Sequence, residues 1–443
     1  MKSDRHQSKT LSAFRSASFI RLLLHLHPRQ VPEQAIVLTH TWGLGGMALV
    51  LFLLQIVSGV FLLFVYKPDI AGAYDSVVSL QRNVLFGGFL RNIHHWSANF
   101  LVPISLLHML RAFYTGAFCG ARSFNWIIGL CLLTMVLGAN LTGYLLPWDQ
   151  MAYWAVTICT GMLDYIPLVG SSLKHLLQGG AEVGSATLSN FFVLHVMMFP
   201  LCLVVLLAFH FWRIRNAGGV VLPRMAGEAI LPSKRMVPSA PNLVVRELAM
   251  AAAVLAVIFM LAALLDAPLQ ATANPGLSPN PSKPPWYFSG FQELFLHLHP
   301  TIVVLVLPLL SVVGLCLLPY LIYETKTEGV WFASTTGRKT ALFAAVVAIF
   351  GTLASILLDE WLLKGGGASH SQSGQSWLRM LAAGGILIAM AGPSLFARKY
   401  FSAGKTEMVQ AALTFALTTM VILTVIGVWF RGPGMALMWC GWR

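Results

Sequence analysis

Residues Arg91–Arg111 read RNIHHWSANFLVPISLLHMLR, and residues Leu194–Arg215 read LHVMMFPLCLVVLLAFHFWRIR. The first stretch holds His94 and His108, fourteen residues apart; the second holds His195 and His210, fifteen apart. At about 1.5 Å and 100° per residue, each pair lies on one helix face, separated by roughly 21–23 Å along the axis. Two neighbouring stretches repeat the interval with glycine. Gly45 and Gly59 are fourteen residues apart, and so are Gly129 and Gly143.

The surrounding chain is a membrane sequence. Of 443 residues, 57% are hydrophobic and only 10% charged, where a soluble domain is nearer a quarter charged. Apolar runs recur at about 20 residues, the length that crosses a bilayer core as helix. Nine spans are expected, at about 42–66, 93–114, 125–146, 190–212, 246–265, 301–322, 340–360, 378–396 and 409–430. With the N-terminus in the cytoplasm, the inner segments of this arrangement hold most of the 29 Lys and Arg, as the positive-inside rule requires. The C-terminus then lies outside, in a multi-pass plasma (inner) membrane protein. The net charge of +13 reads as topology and attraction to anionic lipid. No soluble basic module for nucleic acid is visible. Residues 1–34 lack a continuous apolar run, so no cleaved leader is expected. Their apolar residues interleave with Arg and His, as in an amphipathic helix on the inner surface.

One span separates the two histidine helices, so they run in the same direction. His94 and His195 share an outer level, and His108 and His210 an inner one. Two facing imidazoles at each level is bis-histidine haem ligation, one haem above the other. Glycine at the same levels of the other two helices lets a flat macrocycle edge approach the backbone. The four outline a bundle around two b-type haems. Intramembrane histidines also serve ion paths, so a haem-free transporter is the reading from another class. Arg91 and Arg111 each lie three residues from a ligand, where they would pair with haem propionates or anchor the span ends. The six cysteines occur singly, without a C-x-x-C-H. They read as small packing residues.

These stretches resemble the cytochrome b family of respiratory and photosynthetic bc complexes. So do LTGYLLPWDQMAYWAVTICTGMLDYIPLVG (141–170) and KPPWYFSGFQELF (283–295). The fifteen-residue step and GYLLPWDQMAYWA are closer to the plastid and cyanobacterial type, which divides between two chains what here is fused in one. The resemblance implies quinol oxidation at an outer site. One electron would go to a Rieske iron–sulfur protein and then a c-type cytochrome or similar acceptor. The other would pass through two haems to an inner quinone site, with protons released outside. By the same resemblance His94 and His195 hold the outer haem, and His108 and His210 the inner one. Trp148, Gln150, Pro285, Trp286 and Tyr287 line the quinol pocket, Arg215 lies near the inner quinone site, and 160–180 helps dock the Rieske head domain. A homodimer within a larger complex is likewise implied. A di-haem anchor feeding a different periplasmic enzyme, without a Rieske protein, is the alternative.

Two positions depart from the family. Its outer motif is Pro-Glu-Trp-Tyr, with the Glu taken as proton carrier; here Pro285 stands in that place. Glu293 is the first substitute and Asp149 the second, although Glu293 reads equally well as a structural carboxylate. As base, Glu293→Gln slows quinol oxidation and shifts its pH profile. Plastid-type relatives carry a Cys before the first-span Leu-Gly-Gly that attaches an extra haem. Gly43 stands there, so no covalent haem is expected.

The expected architecture is all-α. An inner-surface segment (1–40) precedes a four-helix di-haem domain (41–215) and an inner loop (216–245). A three-helix domain carrying the PPWY loop (246–365) and two additional helices (366–443) complete it.

Overall fold

The computed structural model describes residues 29–228, 235–321, 327–365, 392 and 395–438. Most of the expected eighth span and of the N-terminal amphipathic segment falls outside those residues. Twelve helices organise the described part. They are α1 (Leu44–Leu63), α2 (Ala73–Asn83), α3 (Gly87–Tyr114), α4 (Ser123–Leu145), α5 (Gln150–Gly161) and α6 (Gly170–Gln178). There follow α7 (Ser185–Asn216), α8 (Ser239–Leu264), α9 (Trp286–His297), α10 (Ile302–Tyr320), α11 (Thr335–Gly365) and α12 (Lys405–Trp429). A two-stranded ribbon pairs Gln30–Pro32 with Met236–Pro238 and ties the entry of the first span to the start of α8.

Seven of these helices are long and apolar enough to cross a membrane. The second expected span, α3, is 28 residues long but carries two Arg, three His and two Asn, which dilute its hydropathy. Those polar groups face protein. Arg91, Asn92, Ser97 and Arg111 are all buried. Outward faces carry exposed Val57, Phe61, Val204, Val205 and Leu309, apolar surface suited to lipid.

α1 packs on α3, α3 on α4 and α4 on α7, while α8 crosses α1 and α3. Their common core holds Leu51 and Phe52 of α1, Leu101 and Val102 of α3, Val136 of α4, Leu203 of α7 and Ile258 of α8. A second body forms where α12 packs against α9 and α11.

Two helices contain a π turn, at Leu194–Met198 and Ile302–Val306. Each ends two residues before a proline, Pro200 and Pro308. A proline inside a helix removes an amide donor and its ring crowds the carbonyl four residues back. Widening the preceding turn by one residue relieves that conflict. The π turn of α7 contains His195.

Candidate functional site

His94 and His195 face each other with ring centroids 6.1 Å apart, and His108 and His210 do so at 6.4 Å. The pairing is the one the residue intervals predict. The π turn explains why fifteen residues in α7 match fourteen in α3. One residue is absorbed in the widened turn, so both rings of α7 stay on one face.

Each glycine of the expected set lies against one of these rings. A Cβ on Gly45 would stand 3.1 Å from His108 Cε1, and one on Gly59 would stand 3.2 Å from His94 Cε1. At Gly129 the distance to His210 Cε1 is 4.0 Å. At Gly143 a Cβ would collide with His195. The glycines are therefore the backs of the imidazole slots.

The rings of His94 and His195 are oriented by their Nδ1 atoms. Ser58 Oγ donates to Leu54 O at 2.6 Å, leaving its oxygen to accept from His94 Nδ1 at 2.9 Å. His195 Nδ1 donates to Ala139 O at 2.9 Å. A proton held at Nδ1 leaves Nε2 as a bare lone pair, the arrangement that supports metal ligation. Two imidazoles flanking one metal, each nitrogen at about 2.0–2.1 Å, have ring centres about 6 Å apart. The donor set, the spacing and the glycine-lined slots all fit b-type haem. Ser58 and the Ala139 carbonyl escape sequence reasoning. Adjacency of Ser58 to Gly59 was its only signal, and a carbonyl has none.

The arginines beside the ligands are engaged elsewhere. Arg91 donates from both terminal nitrogens to Ala267 O and Pro268 O, each at 2.7 Å. Arg111 Nε donates to His40 O at 3.0 Å, and its Nη2 lies 2.7 Å from His40 Nε2. Burial, then the Arg111 charge, push the His40 imidazole down to about 4, so it is neutral beside that cation. Arg215 is exposed in the last turn of α7.

At the other end of the bundle, the expected pocket residues hold the connecting segments in place. Trp148 is buried with φ +52, a region bulky residues rarely occupy. Its amide donates to Leu145 O at 2.9 Å and its carbonyl accepts from Ala273 N at 3.0 Å. Gln150 Oε1 accepts from Asn274 N at 2.6 Å, and Gln150 Nε2 donates to Leu277 O. Residues 148–150 are thus stitched to the 270–277 segment. Pro284 and Pro285 are buried, and Trp286 Nε1 donates to Asn99 Oδ1 of α3 at 2.7 Å. Tyr287 packs on the bundle core, and burial, then Tyr144, raise its hydroxyl above the ordinary range. That hydroxyl remains protonated.

The two candidate proton acceptors have structural duties. Asp149 caps α5, Oδ1 accepting from Ala152 N at 2.9 Å, while Oδ2 accepts from Gln270 N at 2.9 Å. Losing such a cap costs about 0.5–2 kcal/mol. Asp149→Ala is expected to lower the thermal midpoint of the purified protein while the shape of its turnover–pH curve stays the same. A changed curve would return Asp149 to the chemistry.

Glu293 is fully buried. Arg431 Nε donates to both of its oxygens at 3.0 Å, and His297 Nε2 lies 3.1 Å from Oε1. Burial raises the carboxyl, yet the hydrogen bonds from His297 and Arg431 outweigh it and hold Glu293 below its usual range. Of the two roles expected for Glu293, base and structural carboxylate, this pairing favours the second.

His297 has a carboxylate at each nitrogen, Glu293 and, at 2.6 Å from Nδ1, Asp359. Burial lowers its pKa, but the bonds to Asp359 and Glu293 dominate and raise it from 6.5 to about 8. A raised histidine stabilises the fold fully below its unfolded value, and that stability is lost as pH climbs through the folded one. Thermal stability should therefore fall between about pH 6.5 and 8, by roughly 2 kcal/mol at about 1.4 kcal/mol per unit. His297→Gln should flatten that slope, and a slope equal to that of the unaltered chain would contradict the assignment.

The cytochrome b/b6/petB family matches residues 30–218. Cytochrome b6 of Heliobacterium mobile is 45% identical over 175 residues, 40% of this chain and 82% of that protein. Cytochrome b6 of the alga Gracilaria tenuistipitata var. liui is 42% identical over 175 residues, 40% of this chain and 81% of its own length. A solved structure described as a hyperthermophilic respiratory Complex III superposes with a TM-score of 0.67 at 25% identity, covering 94% of this chain and 98% of that one. With its four histidines paired between two helices and about four-fifths of these relatives' length covered, this multi-pass membrane chain belongs to the cytochrome b/b6 family, whose members bind b-type haem.

Proposed function

We propose that the chain is the catalytic membrane subunit of a quinol-oxidising complex that also contains a Rieske iron–sulfur protein and a c-type cytochrome or similar acceptor. The observation that carries this is the pair of histidine levels, each two imidazoles about 6 Å apart with a glycine behind every ring. His94 and His195 hold one b haem and His108 and His210 a second, neither covalently attached. Bound there, the two haems supply a path for one electron through the membrane to an inner quinone. Arg215 lies on that inner side.

Quinol binds at the outer end, between Trp148–Gln150 and Pro285–Tyr287. Buried prolines and aromatics make a rigid, flat, mostly apolar pocket. The Tyr287 hydroxyl, kept protonated, hydrogen-bonds the quinol. Asp149 and Glu293 shape the pocket through backbone caps and ion pairs, and the proton reaches the outer surface by water. The N-terminus is cytoplasmic and the C-terminus outside. The divisions at residues 41–215, 246–365 and 366–443 serve as the haem, quinol-loop and additional-helix domains of a homodimer in the inner membrane.

The test is purification in mild detergent, followed by quinol:cytochrome c turnover and electron paramagnetic resonance on the same sample. Turnover together with a Rieske iron–sulfur signal is expected. A haem-containing complex without that signal would favour the anchor that feeds a different periplasmic enzyme.

A further inference from the structure

The last span does more than cross the membrane. Its C-terminal end lies along the segment that opens the proposed quinol pocket, and five independent contacts join the two. Lys283 Nζ donates to Val428 O at 2.8 Å, and Gly434 N donates to Asn280 Oδ1 at 2.5 Å. Both residues precede Pro284-Pro285. A Cβ on Gly290 would meet Thr424 Oγ1 at 2.6 Å, and one on Gly427 would meet Ser289 O at 2.8 Å. Small residues on each side thus let α9 and α12 approach backbone to backbone. The fifth contact is the guanidinium of Arg431.

Arg431 follows α12 and is fully buried. Its Nε and Nη2 grip Glu293 of α9, with Nη2–Oε1 at 2.5 Å. Nη1 donates to Glu360 of α11 and, at 2.9 Å, to Met435 O. His297 Nε2 is 3.3 Å from Nη2. A short hairpin, closed by the Arg431–Leu437 bridge and by Gly432 N donating to Ala436 O at 2.9 Å, holds the arginine's own backbone. A planar fork with two oxygens of one carboxylate fixes orientation as well as distance. Glu293 lies seven residues after Trp286 on the same helix face, about 10 Å along α9. What the fork fixes at Glu293 is therefore fixed at Trp286 and Tyr287.

We propose that Arg431 is a positioning residue for the outer quinol site: through Glu293 it sets where α9, and with it Trp286 and Tyr287, stands against the bundle. The last span is then the seat of the quinol loop rather than a passive anchor. This inference rests on the quinol-pocket reading of α9. Nothing in it requires Arg431 to touch quinol.

The experiment compares the whole purified complex carrying the unaltered chain, Arg431→Gln, Glu293→Gln/Arg431→Gln and Asn280→Ala, measuring quinol KM, kcat per haem and the reduced-minus-oxidised spectrum. Arg431→Gln is expected to raise KM about tenfold with a smaller loss in kcat, since shifts of an ångström in positioning groups cost up to about a hundredfold. Its haem spectrum should be unchanged, because the histidine bundle is separate. The double variant removes the unpaired Glu293 charge but leaves Glu360 without its arginine and α9 without the fork, so it should recover only part of the KM. Asn280→Ala, a milder cut at the other end of the seat, should raise KM two- to threefold (about 0.4–0.7 kcal/mol at 1.4 kcal/mol per tenfold). Less assembled complex with KM and kcat per haem unchanged would show a purely structural role and overturn the proposal. Should Arg431→Gln fail to assemble, Asn280→Ala decides, and an unchanged KM there overturns it. A complex whose unaltered chain oxidises no quinol would instead refute the pocket reading itself.

Discussion

His195→Leu should remove one b-type component from the reduced-minus-oxidised spectrum, leave the other in place, and abolish quinol oxidation. Loss of a group that merely orients a metal ligand already costs about 10–100-fold in affinity, so loss of the ligand itself should exceed that. Selective loss is expected because the two levels share no ligand. His94 and His195 form one pair, and His108 and His210 the other. His210→Leu should produce the complementary spectrum. Loss of both components from either single change would mean that the levels are coupled through folding.

A graded loss is expected when the glycines behind the rings are replaced. A Cβ at Gly143 collides with the His195 ring, those at Gly45 and Gly59 stand 3.1 and 3.2 Å from His108 and His94, and that at Gly129 stands 4.0 Å from His210. Overpacking a tight site costs about 1–3 kcal/mol. Gly143→Ala should therefore displace His195 and lose most of the component that His195→Leu loses, without touching a ligand. Gly45→Ala and Gly59→Ala should lose part of theirs, each at the level of the ring it faces, whereas Gly129→Ala should be close to neutral. Spectra of the four variants, normalised to protein, read the order directly. Equal effects at Gly129 and Gly143 would contradict the slot geometry.

The histidine levels were legible in the sequence because axial ligation imposes an exact helical interval that packing does not. The glycines were legible for the same reason. The π turn that reconciles fifteen residues with fourteen was not read, although its cause, Pro200, stands in the sequence. Helical periodicity alone cannot tell a widened turn from a small rotation. The spans were legible from their apolar runs wherever the structure describes them, α3 included despite its polar residues.

The polar connections were hidden. Arg431 and Glu293 are 138 residues apart, and nothing local to either announces the other. Read alone, Glu293 beside the pocket was equally a candidate base and a structural carboxylate. Only a partner delivered by the last span makes it a structural carboxylate. Arg91 and Asp149 share this history. Both stand where chemistry is expected, and both bond the backbone of residues 267–270. A charged residue at the end of a span has several possible partners, and the tertiary fold chooses among them.

The proposed function requires two haems held without covalent attachment by two histidine pairs. The direct measurement is haem content and redox titration of the purified chain. Two extractable b haems per chain, titrating as two components, are expected. One haem per chain, or haem that stays with the polypeptide after denaturation, would contradict it.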